Sequence, residues 1–371
     1  MMRIIFSEAA RIFLRSLRAR LKGIKEYSGS TKQICKQIVD DCFDKEKDYF
    51  MTSTGHFCEF YARDFGWCTE ALLDLGYRKE VLSTLDYALG VFQKHGGIEQ
   101  SISPSGKPFT FPAGRYSPDA LAFLALSLKL ANAKELVKKY CVFLNREIKR
   151  YYDLAIDDRT GLIRKDKYFS SIKDYSMRKS SCYDNCMTAM LARCISELGL
   201  DNPFTKFDYK KLIMGNFWTG KYFLDDLSGN RHICGDANFI PFWTGLITDK
   251  GIMKRAVASV RREGLDKPLP LKYTNKKFRK QRMIPLELIA GDYERGSAGA
   301  HLGMMYIKVV SKMDKKLARQ YLAEYEERIM QHKNFLEVYD RRGKPFKTLL
   351  YYSDEGMLWA ANYLYLKKLL R

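Results

Sequence analysis

Two kinds of helical pattern alternate along this chain, and their mixture limits the fold more tightly than any single motif does. Segments such as Asp119 to Ala131 and Met357 to Leu366 are apolar on nearly every side, whereas 133–152 and 313–331 carry a clear charged face. A helix apolar all round must be enclosed by protein, and one with a charged stripe covers it from outside. Apolar periodicity, punctuated by Gly, Pro, Asn or Asp, predicts helices over about 5–24, 30–46, 57–75, 77–95, 117–131, 133–152, 180–198, 207–215, 236–247, 250–262, 294–311, 313–331 and 354–370. Paired inner and outer helices in this number predict an all-α fold, a closed (α/α)6 toroid of six helical hairpins. An open solenoid fits less well, because no repeat of fixed period is visible. Short β-hairpin insertions are expected at one mouth, from Ile98–Ser103 with Pro108–Phe111 and from Gly161–Tyr168 after the Asp158-Arg-Thr-Gly161 turn. No Gly/Ser- or Pro-rich linker divides the 371 residues, so we expect a single barrel domain, 29–371, preceded by a basic amphipathic helix, 1–28.

The formal net charge of +21 brings nucleic acid and anionic membranes into consideration. The basic residues are widely spread and form no specific nucleic-acid motif; the dense patches are Arg11 to Lys25 and Lys272 to Arg282. In the first, Arg11, Arg15, Arg18, Arg20, Lys22 and Lys25 alternate with Ile12, Phe13, Leu14, Leu17 and Leu21. That pattern fits either a helix lying on an anionic membrane or polyanion, or one packed on the barrel by its apolar side. Nine cysteines without a regular framework, no apolar run of spanning length and an early-charged start point to free thiols and a cytoplasmic location. Cys182, Cys186 and Cys194 share one helix with no histidine nearby in sequence, and the five histidines are dispersed, so neither a metal nor an organic cofactor is expected.

Carboxylates in aromatic, loop-edge settings are the candidates for chemistry. In FYARDFGWCTEALL, 60–73, Arg63 and Asp64 interrupt an apolar helix start beside Trp67; such a pair holds sugar hydroxyls through charge-assisted hydrogen bonds, or forms a structural ion pair. In RYSPDALAFLAL, 115–126, Asp119 follows Tyr116 and heads a buried helix, where capping alone would explain it. The loop 157–191 holds Asp158, Asp166, Asp174 and Asp184. Glu337 lies between Leu336 and Val338, where apolar neighbours raise a carboxyl pKa and suit it to acid or base work. GDANFIPFW, 235–243, adds Asp236, Asn238 and Trp243, either lining a cavity or starting a capped helix; GDYERGSAGAH, 291–301, adds Glu294 and Arg295.

LEVYDRRGKP followed by YYSDEGMLWAA resembles the closing motif of inverting (α/α)6 α-glucosidases of the glucoamylase and glycogen-debranching (amylo-α-1,6-glucosidase) type. YSPDALAF and ARDFGWCTEAL are similar to further strings of that family, in the same order along about 55–366. The resemblance implies that Glu337 is the general base and that Arg63, Asp64 and Asp119 grip the non-reducing-end glucose. It puts the general acid in the loop after Thr160–Ile163; Asp174 is our choice, with Asp166, Asp184 and Asp158 as rivals. The family's Trp-rich context is missing beside Asp174, and Glu294 and Arg295 replace its Trp-Gly-x-Trp string. The implied reaction is hydrolysis of α-glucosidic bonds of gluco-oligosaccharide or glycogen-like glucan from the non-reducing end. Inversion needs room for a water, so the two carboxyl groups are expected about 6.5–9.5 Å apart. Two other readings stand beside it: an (α/α)6 hydrolase or lyase of an anionic saccharide, which would line its cavity with Arg or Lys, and a non-catalytic scaffold binding acidic lipid or RNA, which would have no cavity.

Overall fold

The computed structural model describes residues 2–275 and 290–371, with side chains from Ser7 onward. Most of the predicted basic patch Lys272–Arg282 lies outside the described residues. Among those described there are thirteen helices: α1 Met2–Lys22, α2 Thr31–Asp41, α3 Ala62–Asp74, α4 Arg78–His95, α5 Pro118–Leu130, α6 Lys134–Ala155, α7 Cys182–Glu197, α8 Tyr209–Phe217, α9 Gly235–Trp243, α10 Lys250–Arg262, α11 Ala300–Ser311, α12 Lys315–His332 and α13 Ala360–Leu369.

The apolar-all-round helices form a closed inner ring, in which α3 packs on α5, α5 on α7, α7 on α9, α9 on α11, α11 on α13, and α13 again on α3. Each has an outer partner, with α4 on α3, α6 on α5, α8 on α7, α10 on α9, α12 on α11 and α2 on α13. This is the (α/α)6 toroid. Burial follows the sequence pattern: α5 buries ten of its 13 residues, whereas α6 buries a stripe of Val137, Tyr140, Phe143, Leu144, Ile148 and Tyr151 at three- and four-residue spacing. Gly66 allows α3 and α5 to approach closely, since a Cβ there would come 2.4 Å from the Phe123 ring.

Because inner and outer helices alternate along the chain, all six inner helices run the same way and their N-termini converge on one mouth. The short strands lie there. β3 (Phe60–Tyr61) pairs with β4 (Ser101–Ile102) and β4 with β5 (Pro108–Phe109), while β6 (Ala298–Gly299) pairs with β7 (Val338–Tyr339); β1 (Phe43–Asp44) and β2 (Tyr49–Phe50) form a separate hairpin. Several inner helices therefore start later than their periodicity predicts. The residues before α3 and α11 are used in strands, and Ser353 to Met357 cross the mouth as loop before α13. The second expected hairpin shrinks to a single bridge, Ile156 with Ile163. There the turn closes tightly, with Gly161 N–H donating to Asp157 O at 2.8 Å, and the chain beyond is held by side chains rather than a ladder.

The N-terminal helix overturns the expectation that its apolar side meets the barrel. Glu8, Arg15, Ser16 and Ala19 face inward and are buried, while Leu14 and Leu21 are 63% and 75% exposed. Arg15 donates to the carbonyls of Tyr352 (3.0 Å) and Ser353 (2.7 Å), and Arg11 to that of His56 (2.8 Å). All nine cysteines are free, and among the described residues no helix is long and apolar enough to cross a membrane.

Candidate active site

The mouth opens into a cavity of about 590 Å³, inside the range of small-molecule sites. It takes its walls from the starts of α3, α11 and α13, from the 172–175 and 290–294 segments, and from α1. Glu337, Asp174, Arg63, Asp64 and Glu294, five of the residues singled out in the sequence, line it together.

Glu337 immediately precedes β7, whose pairing with β6 fixes the backbone. Its own C=O accepts from Ala300 N–H at 2.9 Å and its N–H donates to Asp354 O at 3.0 Å. The carboxylate is 2% exposed. Tyr293 hydroxyl donates to Oε1 and Tyr351 hydroxyl to Oε2, with Asp354 N–H 3.0 Å from Oε2. Burial and the nearby Asp354 push its pKa up, the two tyrosines and the N–H draw it down, and the result is about 7.

Asp174 lines the same cavity, in the segment between α6 and α7. Its Oδ1 accepts from Ser170 Oγ (2.7 Å), Gln100 Nε2 (3.3 Å) and Arg63 Nη2 (3.4 Å). Burial raises its pKa against the pull of Arg63 and Ser170. Its backbone N–H and that of Tyr175 donate to Glu294, at 2.6 and 3.1 Å. Burial and the charge of Asp174 raise Glu294 to about 8, although both backbone donors favour its ionised form. Asp174 and Glu294 thus titrate as a pair that retains a proton near neutrality.

Arg63, in the first turn of α3, is aimed by Asp119, whose Oδ2 sits 2.7 Å from Nε. Asp64 accepts from Trp359 Nε1–H at 3.0 Å, and burial raises it to about 6 against Arg63 and that bond. His301 packs its ring 4.7 Å from Trp359, and burial and Arg63 lower its pKa to about 3, so it is neutral. Aromatic rings of Phe57, Phe109, Phe111 and Tyr175 form a further part of the wall. Such faces stack on sugar C–H surfaces.

Other sequence candidates lie elsewhere. Trp67 is 2% exposed in the core, its ring 4.7 Å from Phe123 and 4.6 Å from Trp243, because its helix turns that face toward α5 and α9. Asp119 is fully enclosed by Arg63, Tyr183 and Ser117, so it reaches a ligand only through Arg63. Tyr116 stacks outside the cavity under Arg150 and receives Ser170 N–H at its carbonyl, which steadies the Asp174 loop. Asp236 belongs to a buried ion cluster, 2.9 Å from Lys173 and 3.5 Å from Arg178. Asn238 ties α9 to the Phe223 backbone. Arg295 is off the cavity wall and its carbonyl accepts from Thr274 N–H. Among the rival acids, Asp158 and Asp166 are exposed, and Asp184 is engaged by Ser181 at the start of α7.

Sequence reading missed Tyr293, Tyr351, Gln100, His301 and Trp359. The YYSD and GDYERG strings carry the two tyrosines, but nothing in their spacing says that both converge on one glutamate. Asp225, His232 and Cys234 also converge, with ligand atoms within 4.8 Å of one another; a metal there would compete with the Lys173 ammonium 2.8 Å from Asp225.

No family model and no curated protein matches the chain. Solved structures do match, and glycosidases are among them. A wild-type glycosidase superposes with a TM-score of 0.62 at 12% identity, covering 98% of each chain. A GH63 mannosylglycerate hydrolase from Thermus thermophilus, in complex with Tris, gives 0.62 at 12%, covering 91% of this chain and all (100%) of that one. A bacterial glucoamylase complexed with acarbose gives 0.60 at 14%, covering 94% and 56%. The architecture is that of the (α/α)6 glycosidases.

Proposed function

We propose that this protein is an inverting glycoside hydrolase that removes glucose from the non-reducing end of α-linked gluco-oligosaccharide or glycogen-like glucan. The observation that carries the reading is the pairing, in one aromatic-walled cavity, of Glu337 with the Asp174–Glu294 couple. Arg63 and Asp64 hold the terminal sugar. Asp174, protonated, gives its proton to the glycosidic oxygen as the bond breaks. Glu337, ionised, takes a proton from a water that attacks the anomeric carbon from the opposite face. Tyr293 and Tyr351 fix the orientation of Glu337, and Glu294 positions Asp174 by holding its backbone. A pKa near 7 suits a base working close to neutrality.

The resident charges disfavour an anionic saccharide. Among the described residues the wall carries six acidic side chains, Glu8, Glu59, Asp64, Asp174, Glu294 and Glu337, not all of them ionised, and a single guanidinium, Arg63, already paired with Asp119. The cavity itself argues against a purely structural scaffold. Product-anomer NMR on a panel of α-1,4-, α-1,6- and trehalose-type gluco-oligosaccharides tests the proposal. β-Glucose released first from an α-linked substrate is the expected result; α-glucose would refute inversion, and no release from any member would refute the substrate class.

A further inference from the structure

The side of α1 turned to solvent is the apolar one. At about 100° per residue, Glu8, Arg11, Ile12, Arg15, Ser16 and Ala19 fall on the face against the barrel, and Ala10, Phe13, Leu14, Leu17 and Leu21 on the opposite face. Phe13 and Leu17 are each 43% exposed, beside the still more exposed Leu14 and Leu21. The rotation is set by polar contacts. Arg15 lies 3.2 Å from Glu355, Arg11 pairs with Glu8 and Glu59, and Tyr352 N–H donates to Ser16 Oγ at 3.0 Å. Arg11 and Arg15, which would ordinarily help to solvate such a helix, are consumed by the barrel, and the leucines point outward.

The stripe is not isolated. Arg20 donates to the carbonyls of Thr348 and Tyr351, which brings the intervening Leu349, 88% exposed, and Leu350, 41% exposed, beside it. Single exposed leucines need no explanation, but a row about 12 Å long from Phe13 to Leu21, at 1.5 Å per residue, joined to a second apolar loop does. Exposed Arg18, Lys22 and Lys347 edge the patch without an ion pair among the described residues, and no described residue covers it. Phe13 and Leu350 belong both to the patch and to the cavity wall.

We propose that α1 and the 347–351 loop form a docking face for a bilayer rich in anionic lipid, with the leucines in the acyl boundary and the cations among the headgroups. The cavity mouth then opens at the headgroup plane. If the hydrolase reading above holds, a saccharide carried on a lipid enters the site without leaving the membrane; the docking itself does not depend on that reading.

The test is sedimentation of the full chain with vesicles of phosphatidylcholine alone or with 30 mol% phosphatidylglycerol, in about 0.1 M salt. The parent protein is expected to bind anionic vesicles at least tenfold more tightly than neutral ones. Leu14→Ser/Leu17→Ser/Leu21→Ser, which replaces no cavity-lining residue, is expected to lose at least tenfold in binding with an unchanged circular dichroism spectrum, and Arg18→Gln/Lys22→Gln a smaller amount that shrinks with salt. Absent binding, equal binding to neutral vesicles, or binding unaffected by the triple substitution would each overturn the proposal. So would a concentration-dependent dimer in analytical ultracentrifugation that the triple substitution abolishes, because a second copy would then be the occupant. Vesicle binding without hydrolysis of any glycoside would leave the docking face standing and refute the hydrolase reading alone.

Discussion

Two groups of buried carboxylates sit near the barrel mouth, and their difference lies in how many cations meet them. Around Lys173 the charges balance. Its ammonium is 2.8 Å from Asp225 and 2.9 Å from Asp236, Arg178 is 3.5 Å from Asp236, and His232 is 3.5 Å from Asp225. Burial works to raise Asp225, but Lys173, Arg178 and His232 outweigh it and hold it well below the usual carboxylate range. Around Glu337 the partners are hydroxyls and a backbone N–H, and among the described residues no cation lies within ion-pair distance. Three cations hold Asp225 ionised, although burial still raises Asp236 beside them, whereas Glu337, with only neutral donors, keeps a proton affinity useful for catalysis.

The comparison breaks most sharply at Glu337. Glu337→Gln should reduce kcat by about 10⁴-fold, the upper range for loss of a general base, while leaving the circular dichroism spectrum intact. It should also stabilise the fold. Because the folded pKa of Glu337 is raised from 4.5 to about 7, its stabilising contribution is complete below about pH 4.5 and is lost as pH rises through about 7. The variant should therefore exceed the parent by up to about 3 kcal/mol in urea unfolding above pH 7 and match it below pH 4.5. A variant less stable at pH 8 would contradict the account of an uncompensated carboxylate.

Asp174→Asn should cost about 10³-fold on gluco-oligosaccharides and far less on α-glucosyl fluoride, whose leaving group needs no proton. Equal losses on both substrates would assign the acid elsewhere. On the balanced side, Lys173→Met strands Asp225 and Asp236, and should lower unfolding free energy by about 3–5 kcal/mol; an unchanged denaturation midpoint would remove the distinction between the two groups.

Smaller effects sharpen it. The pH profile of kcat/KM should be bell-shaped, falling as pH drops through about 7, where Glu337 protonates, and falling again as the Asp174–Glu294 couple, with Glu294 near 8, gives up its proton. Glu294→Gln takes the group near 8 out of the couple and should move the alkaline limb to lower pH by up to about one unit. A limb that stays in place would dissociate Glu294 from the acid. Asp166→Asn, at an exposed carboxylate of the same loop, should change nothing measurable.

The helices and the ring they close were legible in the residues, because a segment that is apolar all round has one way to be satisfied and a striped one has another. The first turn of α3 and the apolar setting of Glu337 were legible for the same local reason. The boundaries were less so. The starts of α3, α11 and α13 were displaced by strand pairs or mouth loops whose partners lie tens to hundreds of residues away. Asp236 and Trp67 show the limit on side chains: both lie in aromatic or acidic strings suited to a site, and helix rotation sends one to Lys173 and the other into the core.

What the sequence determined by itself is therefore the alternation of enclosed and covering helices, the presence of carboxylates in apolar surroundings, and the amphipathic character of residues 2–22. Only the tertiary structure decided which carboxylates met cations and which met tyrosines, and which side of α1 faced outward. The physical reason is the same in each case. Burial and periodicity are properties of neighbours along the chain, whereas a carboxylate's partner or a helix's rotation is fixed by polar groups that the fold brings together from distant segments. Arg15 reaching Tyr352 and Ser353, and Tyr293 reaching Glu337, are contacts of that kind.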